Sequence, residues 1–205
     1  MSKTRTNNIV ARCVLLSCVL LVLTTARAED TVDELQEGLD AYISGDLLTA
    51  MTKFRSAADA GSAEAQARLA WILDQSEDNE AAVSLYRQSA EQGYAAGEYG
   101  LAEMYAKGEG VEKDVDIALG WFTKSAEKGH LPALRVLISA NEKGQLGLEP
   151  DEIQAGRWVL RAAEVGDRAS IMRLASLYRT GGLGFDVNEQ LALQWELRLE
   201  ESEGE

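Results

Sequence analysis

Small and apolar residues recur at fixed distances from four glycines along the chain. The glycines are Gly61, Gly93, Gly129 and Gly166, and each follows a short stretch rich in alanine or serine. The fourth residue after each glycine is small, and the eighth is always leucine: Leu69, Leu101, Leu137 and Leu174. Steps of four and eight residues follow one stripe of a helix with 3.6 residues per turn. The pattern therefore predicts an amphipathic helix after each glycine.

A second helix is predicted before each glycine. An alanine lies eleven residues before each of them, and Ala192 continues this series near the end of the chain. Three residues after the last three alanines come Trp121, Trp158 and Trp195, which are 37 residues apart. Large side chains repeated at one helical position are most simply a packed core. We therefore interpret the tryptophans as core residues between successive helix pairs, rather than as a ladder that stacks on a cofactor.

The spacing of the glycines, from 32 to 37 residues, indicates stacked supersecondary units. A glycine after each second helix suits the C′ position, where a left-handed residue ends the helix. Short joints are predicted at residues 44–46 and 76–78, and glycine-rich loops at residues 107–114, 143–151 and 180–188. We predict an all-α fold of ten helices in five antiparallel pairs, from about Thr31 to Glu201. The next position after the tryptophan series is also interpreted as core, and it holds Phe54, Tyr86, Phe122 and Val159 in the first four pairs. In the last pair it holds Glu196, which suits a polar cap.

The third unit carries the most complete motif. It reads Leu101-Ala102-x-x-Tyr105-x-x-Gly108-x-Gly110-Val111-x-x-Asp114, then Ala118-x-x-Trp121-Phe122-x-Lys124-Ser125-Ala126-Glu127-x-Gly129. This motif resembles the Sel-1-like repeat, a relative of the tetratricopeptide repeat, and the first two units lean toward the tetratricopeptide form. The resemblance implies a right-handed α-solenoid whose first helices line a concave face. It also implies an adaptor or scaffold for protein complexes. Exported bacterial members of the family are associated with envelope regulation, secretion or surface assembly.

The N-terminus has the features of a secretory signal peptide. Lys3, Arg5 and Arg12 precede an apolar run over residues 14–23, and a small-x-small cleavage site ends at Ala28. We predict a signal peptide at residues 1–28, a repeat domain at residues 31–201, an acidic tail at residues 202–205, and a periplasmic or secreted protein. A lipoprotein cleavage box ending at Cys18 would lie inside the apolar run, so we do not interpret this cysteine as a lipid anchor.

The chain is strongly acidic, with 34 Asp and Glu against 20 Lys and Arg and a formal net charge of −14. Such a charge repels phosphate backbones and anionic lipid headgroups, which argues against nucleic acid as a partner. It allows a basic protein surface or peptide. Both cysteines, Cys13 and Cys18, lie in the predicted signal peptide, so no disulfide is predicted in the mature protein.

Two positions on each first helix, the sixth and tenth after the glycine, lie off the core stripe. They share one face because they are four residues apart. If the family geometry holds, they form a ladder along the concave face, where we predict contacts with an extended or helical segment of a partner protein. The predicted contact residues are Trp71, Tyr99, Glu103, Arg135 and Met172. The alternative for Trp71 is packing beneath a neighbouring loop.

Little in the sequence indicates catalysis. The only histidine, His130, occupies a helix-start position, and neither a zinc ligand set nor a calcium-binding loop occurs. Ser125-x-x-Lys128 and Arg179-Thr180-Gly181 resemble motifs of penicillin-recognising hydrolases, but the repeat itself explains Ser125. We therefore predict a non-enzymatic protein-interaction adaptor, scaffold or regulator of the bacterial envelope, with no cofactor, metal or catalytic residue. The alternatives are a self-assembling structural envelope component and a β-lactamase-like hydrolase.

Overall fold

The computed structural model describes residues 31–201, and this range is all-α, as the sequence predicts. The predicted signal peptide with its two cysteines and the acidic tail lie outside the described residues. Ten helices follow one another: α1 (31–44), α2 (Leu47–Asp59), α3 (Ala63–Gln75), α4 (Asn79–Glu91), α5 (Ala95–Lys107), α6 (Val115–Glu127), α7 (Leu131–Lys143), α8 (Glu152–Glu164), α9 (Arg168–Thr180) and α10 (Glu189–Glu201).

The predicted division into five helix pairs is confirmed. Residues 45–46 join α1 to α2, and residues 76–78 join α3 to α4. Longer loops at residues 108–114, 144–151 and 181–188 join the helices of the last three pairs. Among the helices of the described range, none combines the length and apolar character needed to cross a membrane.

The fold contains two compact units, and the boundary between them falls inside α3, after Leu69. In the first unit the buried Phe54 of α2 packs against Gly38 of α1, where a side chain would overlap the phenyl ring. Lys53 of α2 also binds Glu37 of α1 at 2.5 Å. In the second unit, from Ala70 onward, each helix from α4 to α10 packs against the next one along the chain.

The predicted stripes form the core of both units. The leucine eight residues after each glycine is at most 1% exposed, and the alanine eleven residues before each glycine is fully buried. The tryptophans follow the prediction only in part. Trp121, Trp158 and Trp195 are partly buried at the edge of the core, with Lys124 over the Trp121 ring and Arg198 over the Trp195 ring. The next residue on α6, Phe122, lies deeper, because a helix turns its neighbouring positions by about 100°.

Local sequence determines where the helices begin and end. The four glycines that follow the second helices have φ between 78° and 101°, the left-handed conformation predicted for C′ positions. Asp114, Asp151 and Asp167 accept backbone N–H groups at the starts of α6, α8 and α9. Pro132 lies in the first turn of α7, where its missing N–H leaves no hydrogen bond unmade.

Two further glycines allow α4 and α5 to approach closely. A Cβ atom on Gly100 would overlap the ring of Tyr86, and one on Gly97 would overlap the side chain of Ser89. Both glycines are buried on α5, and both opposing side chains belong to α4. Gly97 and Gly100 therefore allow the short distance between α4 and α5.

Candidate partner-binding groove

An open groove of about 590 Å³ lies between α5 and α7 in the second unit. We call it the α5–α7 groove. Its apolar lining, which we call the apolar floor, comes from both helices, from α6 and from the loop that follows α7: Ala106, Phe122, Val136 and Leu146. Its polar lining residues are Glu103, Lys107, Arg135, Ser139 and Gln145. A concave apolar surface with a few polar groups at its edge is the usual composition of a binding site.

The groove brings together two of the five predicted contact residues. Glu103 is the tenth residue after its glycine and Arg135 the sixth after the next, and both line the groove. Ser139, at the tenth position on α7, lines it as well. Positions that are 36 residues apart in the sequence therefore meet across one surface, as the predicted ladder requires of neighbouring first helices.

Tyr99 supports the groove from behind rather than lining it. Its ring meets Phe122 edge-on, with the ring centres 5.6 Å apart, and lies 5.1 Å from the imidazole of His130. Its hydroxyl hydrogen-bonds the carboxylate of Glu103. Burial, followed by the nearby charge of Glu103, raises the pKa of Tyr99 to about 12. Tyr99 thus stays protonated and holds both the apolar floor and one polar side chain in place.

The α5 side of the groove carries an excess of negative charge. Burial raises the pKa of Glu103 above its ordinary value, and Asp74 and Glu109 raise it further. Lys107 and the Tyr99 hydroxyl act in the opposite direction on this carboxyl group. The pKa of Asp74 is also raised, first by burial and then by Glu109. We call Asp74, Glu103 and Glu109 the acidic rim, and Lys107 is the one cation among them.

The α7 side of the groove is electrically balanced. Arg135 donates to the carboxylate of Asp167 at 2.6 Å. Asp167 is only 7% exposed, and it also accepts the hydroxyl and the backbone N–H of Ser170. Burial alone would raise the pKa of Asp167, but these hydrogen bonds outweigh it and hold the pKa below its ordinary value. Arg135 therefore lines the groove with its charge compensated by Asp167.

Trp71 and Met172, the remaining predicted contact residues, are exposed but do not line the groove. Trp71 is 47% exposed, which argues against the alternative of a tryptophan packed beneath a loop. It precedes Asp74 of the acidic rim by three positions on α3, so the two share a helix face. Met172 on α9 is 56% exposed and adjoins Arg173, which binds Glu142 of α7.

Several groove residues escaped the sequence prediction. The sequence pattern predicts Phe122 as a core residue, and it does pack in the core while also lining the groove. Leu146 lies in an irregular loop with φ of 53°, where helical periodicity gives no information. Lys107 and Asp74 lie one turn beyond the tenth position of their helices, so a ladder extended by one turn would have included them.

Ser125, Lys128 and His130, the residues considered for catalysis, are held by contacts within the repeats. Ser125 is fully buried and donates its hydroxyl to the carbonyl of Ala95 at 2.7 Å, while Lys128 binds Glu98. Burial lowers the pKa of His130, and its Nδ1 atom is buried without a hydrogen bond within the described residues. Over residues 31–201, no three His, Cys, Asp or Glu side chains are grouped so that they could hold a metal ion.

Comparison with known proteins agrees with this architecture. The family profile of the Sel1 repeat matches residues 63–94, 95–130, 139–167 and 169–195, which together make up more than half of the chain. No curated protein sequence matches the chain.

Three solved structures are similar. The Sel1 repeat protein from Oxalobacter formigenes is 26% identical, with a TM-score of 0.65 over 75% of this chain and 45% of that one. The protein c5321, a protective antigen present in uropathogenic Escherichia coli strains with an SLR fold, is 28% identical, with a TM-score of 0.57 over 82% of this chain and 38% of that one. A sel1 repeat protein from Klebsiella pneumoniae subsp. pneumoniae is 22% identical, with a TM-score of 0.56 over 86% and 89%. The chain thus spans less than half the length of the first two.

Proposed function

Because the chain belongs to the Sel1 repeat family, whose members are generally protein-interaction scaffolds, we propose that it is a non-enzymatic adaptor that binds a segment of a partner polypeptide in the α5–α7 groove. The observation that carries this proposal is the groove itself. It joins positions of two successive repeats on one surface, and it combines an apolar floor with polar edges. Of the predicted contact residues, Glu103 and Arg135 would contact the partner directly, while Tyr99 would position Glu103 and Phe122.

We further propose that the adaptor works in the bacterial cell envelope. The predicted signal peptide at residues 1–28 supports this location. A similar protein, c5321, is a protective antigen present in uropathogenic Escherichia coli strains, and an envelope location for this chain agrees with that description. Fractionation of the producing cells, with N-terminal sequencing of the mature protein, tests the location and the cleavage near Ala28. Intact protein confined to the cytoplasm would refute it.

Site-specific photo-crosslinking tests the groove. A benzophenone amino acid is placed at Ser139, which lines the groove, and separately at Ser84, an exposed position on α4 outside it. We expect one polypeptide to crosslink to the probe at Ser139 in producing cells and not to the probe at Ser84. Equal labelling from both positions, or none from Ser139, would contradict binding in the groove.

A second candidate function, self-assembly, has its own observation. Apolar residues surround the turn between α1 and α2, where Ile43 is 81% and Leu48 is 78% exposed, with Leu47 between them. Exposed apolar clusters of this kind often mark contact surfaces. Light scattering over a concentration series separates the two functions. A monomer at all concentrations supports the adaptor. A molecular mass that increases with protein concentration supports assembly, provided that the double variant Ile43→Ser and Leu48→Ser abolishes the increase.

A further inference from the structure

The acidic rim and the apolar floor of the α5–α7 groove lie side by side, and together they restrict the chemistry of the partner. In the rim, the carboxylates of Asp74, Glu103 and Glu109 all act electrostatically on one ammonium group, that of Lys107. Lys107 lies 3.4 Å from Glu109, so its charge is already engaged. Three carboxylates against one ammonium group leave the acidic rim with an excess of two negative charges.

The opposite wall does not offset this charge. The guanidinium group of Arg135 is bound to the buried carboxylate of Asp167, and the pair contributes no net charge to the groove. Ser139 and Gln145, the other polar residues of that wall, are uncharged and contact each other at 3.1 Å. An incoming cation would therefore meet attraction from the rim and little repulsion from α7.

The floor requires an apolar group next to that cation. Phe122, Val136 and Leu146 form one apolar lining, and Phe122 is held in position by its edge contact with Tyr99. On the α3 side, the exposed Trp71 shares a helix face with Asp74, so a cation bound at the rim would also find an aromatic ring nearby.

We infer that the partner segment carries a lysine or arginine next to a large apolar residue, with the basic side chain at the acidic rim and the apolar one in the α5–α7 groove. This inference rests on the proposed function. The raised pKa values of Glu103 and Asp74 agree with it, since a bound cation would stabilise both carboxylates in their charged forms. The same surface disfavours acidic segments, because their carboxylates would add to the repulsion within the rim.

The test is a selection of twelve-residue peptides from a displayed random library on the full chain, followed by fluorescence polarisation with the selected peptides. Three variants are compared. Glu103→Gln removes one rim charge at constant shape, Glu112→Gln removes an exposed charge of the α5–α6 loop, and Ser139→Trp fills the groove without changing its charge. Circular dichroism and thermal melts establish that each variant is folded.

We expect the selected peptides to pair a basic residue with an apolar neighbour. Ser139→Trp should abolish binding, and Glu103→Gln should weaken it about tenfold while Glu112→Gln leaves it unchanged. Binding should weaken as salt is raised, because the rim is partly exposed. Suppose that the peptides lose binding to Ser139→Trp but are neutral or acidic, or bind Glu103→Gln as tightly as the unchanged protein. That result would overturn this inference and leave the proposed function standing. Failure to select any peptide sensitive to Ser139→Trp would reject the groove as a binding site altogether.

Discussion

Glu103 occupies a position where its surroundings oppose its charge. Burial raises its pKa, and the charges of Asp74 and Glu109 add to this effect. The positive charge of Lys107 and the hydrogen bond from Tyr99 offset this cost only in part, since the net pKa shift remains upward. A residue that lowers stability at neutral pH is more readily understood as a binding residue than as a structural one, because sites of function commonly reduce stability.

This reasoning predicts that Glu103→Gln stabilises the fold at neutral pH. The folded protein holds the proton of Glu103 more tightly than the unfolded chain does, so ionisation above its ordinary pKa of about 4.5 costs stability. Glutamine keeps an acceptor for Tyr99 without that cost. We expect the melting temperature to rise by about 1–3 °C at pH 7, with the gain disappearing near pH 4. The control is Glu112→Gln, and a lower melting temperature for Glu103→Gln at pH 7 would contradict the prediction.

His130 should make stability depend on pH in a different range. Burial lowers its pKa below the ordinary 6.5, and it lies at the start of α7, where the helix dipole also disfavours a cation. The unfolded chain therefore takes up a proton before the folded protein does, and stability should fall as pH drops through about 6.5. His130→Asn should flatten this dependence, since the chain has no other histidine. Urea unfolding from pH 7.5 to 5.5 measures it, and equal slopes for both proteins would be the contrary result.

At the scale of helices, the sequence predicted nearly everything that periodicity can report. The ten helices, the short joints and the three long loops follow from the spacing of glycine, alanine and leucine, because these residues satisfy local rules of helix geometry and termination. The groove could be predicted only in part. Glu103 and Arg135 follow from helix faces, whereas the compensation of Arg135 by Asp167 and the place of Leu146 in the groove lining depend on tertiary packing.

The contact between α4 and α5 gives a test of close packing with a matched control. Gly100→Ala places a methyl group into the ring of Tyr86, and we expect it to destabilise the fold by about 1–3 kcal/mol. Gly120→Ala adds the same methyl group on α6 where nothing lies within 4 Å, so better helix propensity should stabilise by about 0.5–1 kcal/mol. Urea denaturation gives both values. Similar changes for the two variants would show that close approach does not govern this contact.

Over the second unit as a whole, ion pairs join successive repeats. Glu98 binds Lys128, Arg135 binds Asp167, and Glu142 binds Arg173, each between residues about one repeat apart. Exposed pairs add little stability, but Glu98 and Asp167 are buried, so losing their partners would leave buried charges unpaired. Stability in stacked repeats is roughly the sum of such neighbour interfaces. Damage to one interface should therefore loosen the adjoining repeat before the rest.

Asp167 allows this locality to be tested. Asp167→Ala removes the cap of α9, the acceptor for Ser170 and the partner of Arg135, and we expect a loss of about 2–3 kcal/mol. Asp151→Ala, which removes an exposed cap of α8, should cost about 1 kcal/mol. Because the pKa of Asp167 is lowered in the fold, its contribution should be complete above about pH 4 and decline as the pH falls further.

Amide hydrogen exchange distinguishes a local effect from a global one, because it reports opening helix by helix. In Asp167→Ala, amides of α9 and α10 should exchange faster by a larger factor than those of α5 and α6, since α9 loses both its cap and its link to α7. Asp151→Ala should show no such preference for the last pair. If Asp167→Ala instead accelerates exchange equally in all helices of the second unit, that unit opens as one cooperative block, and the nearest-neighbour description of its repeats does not hold.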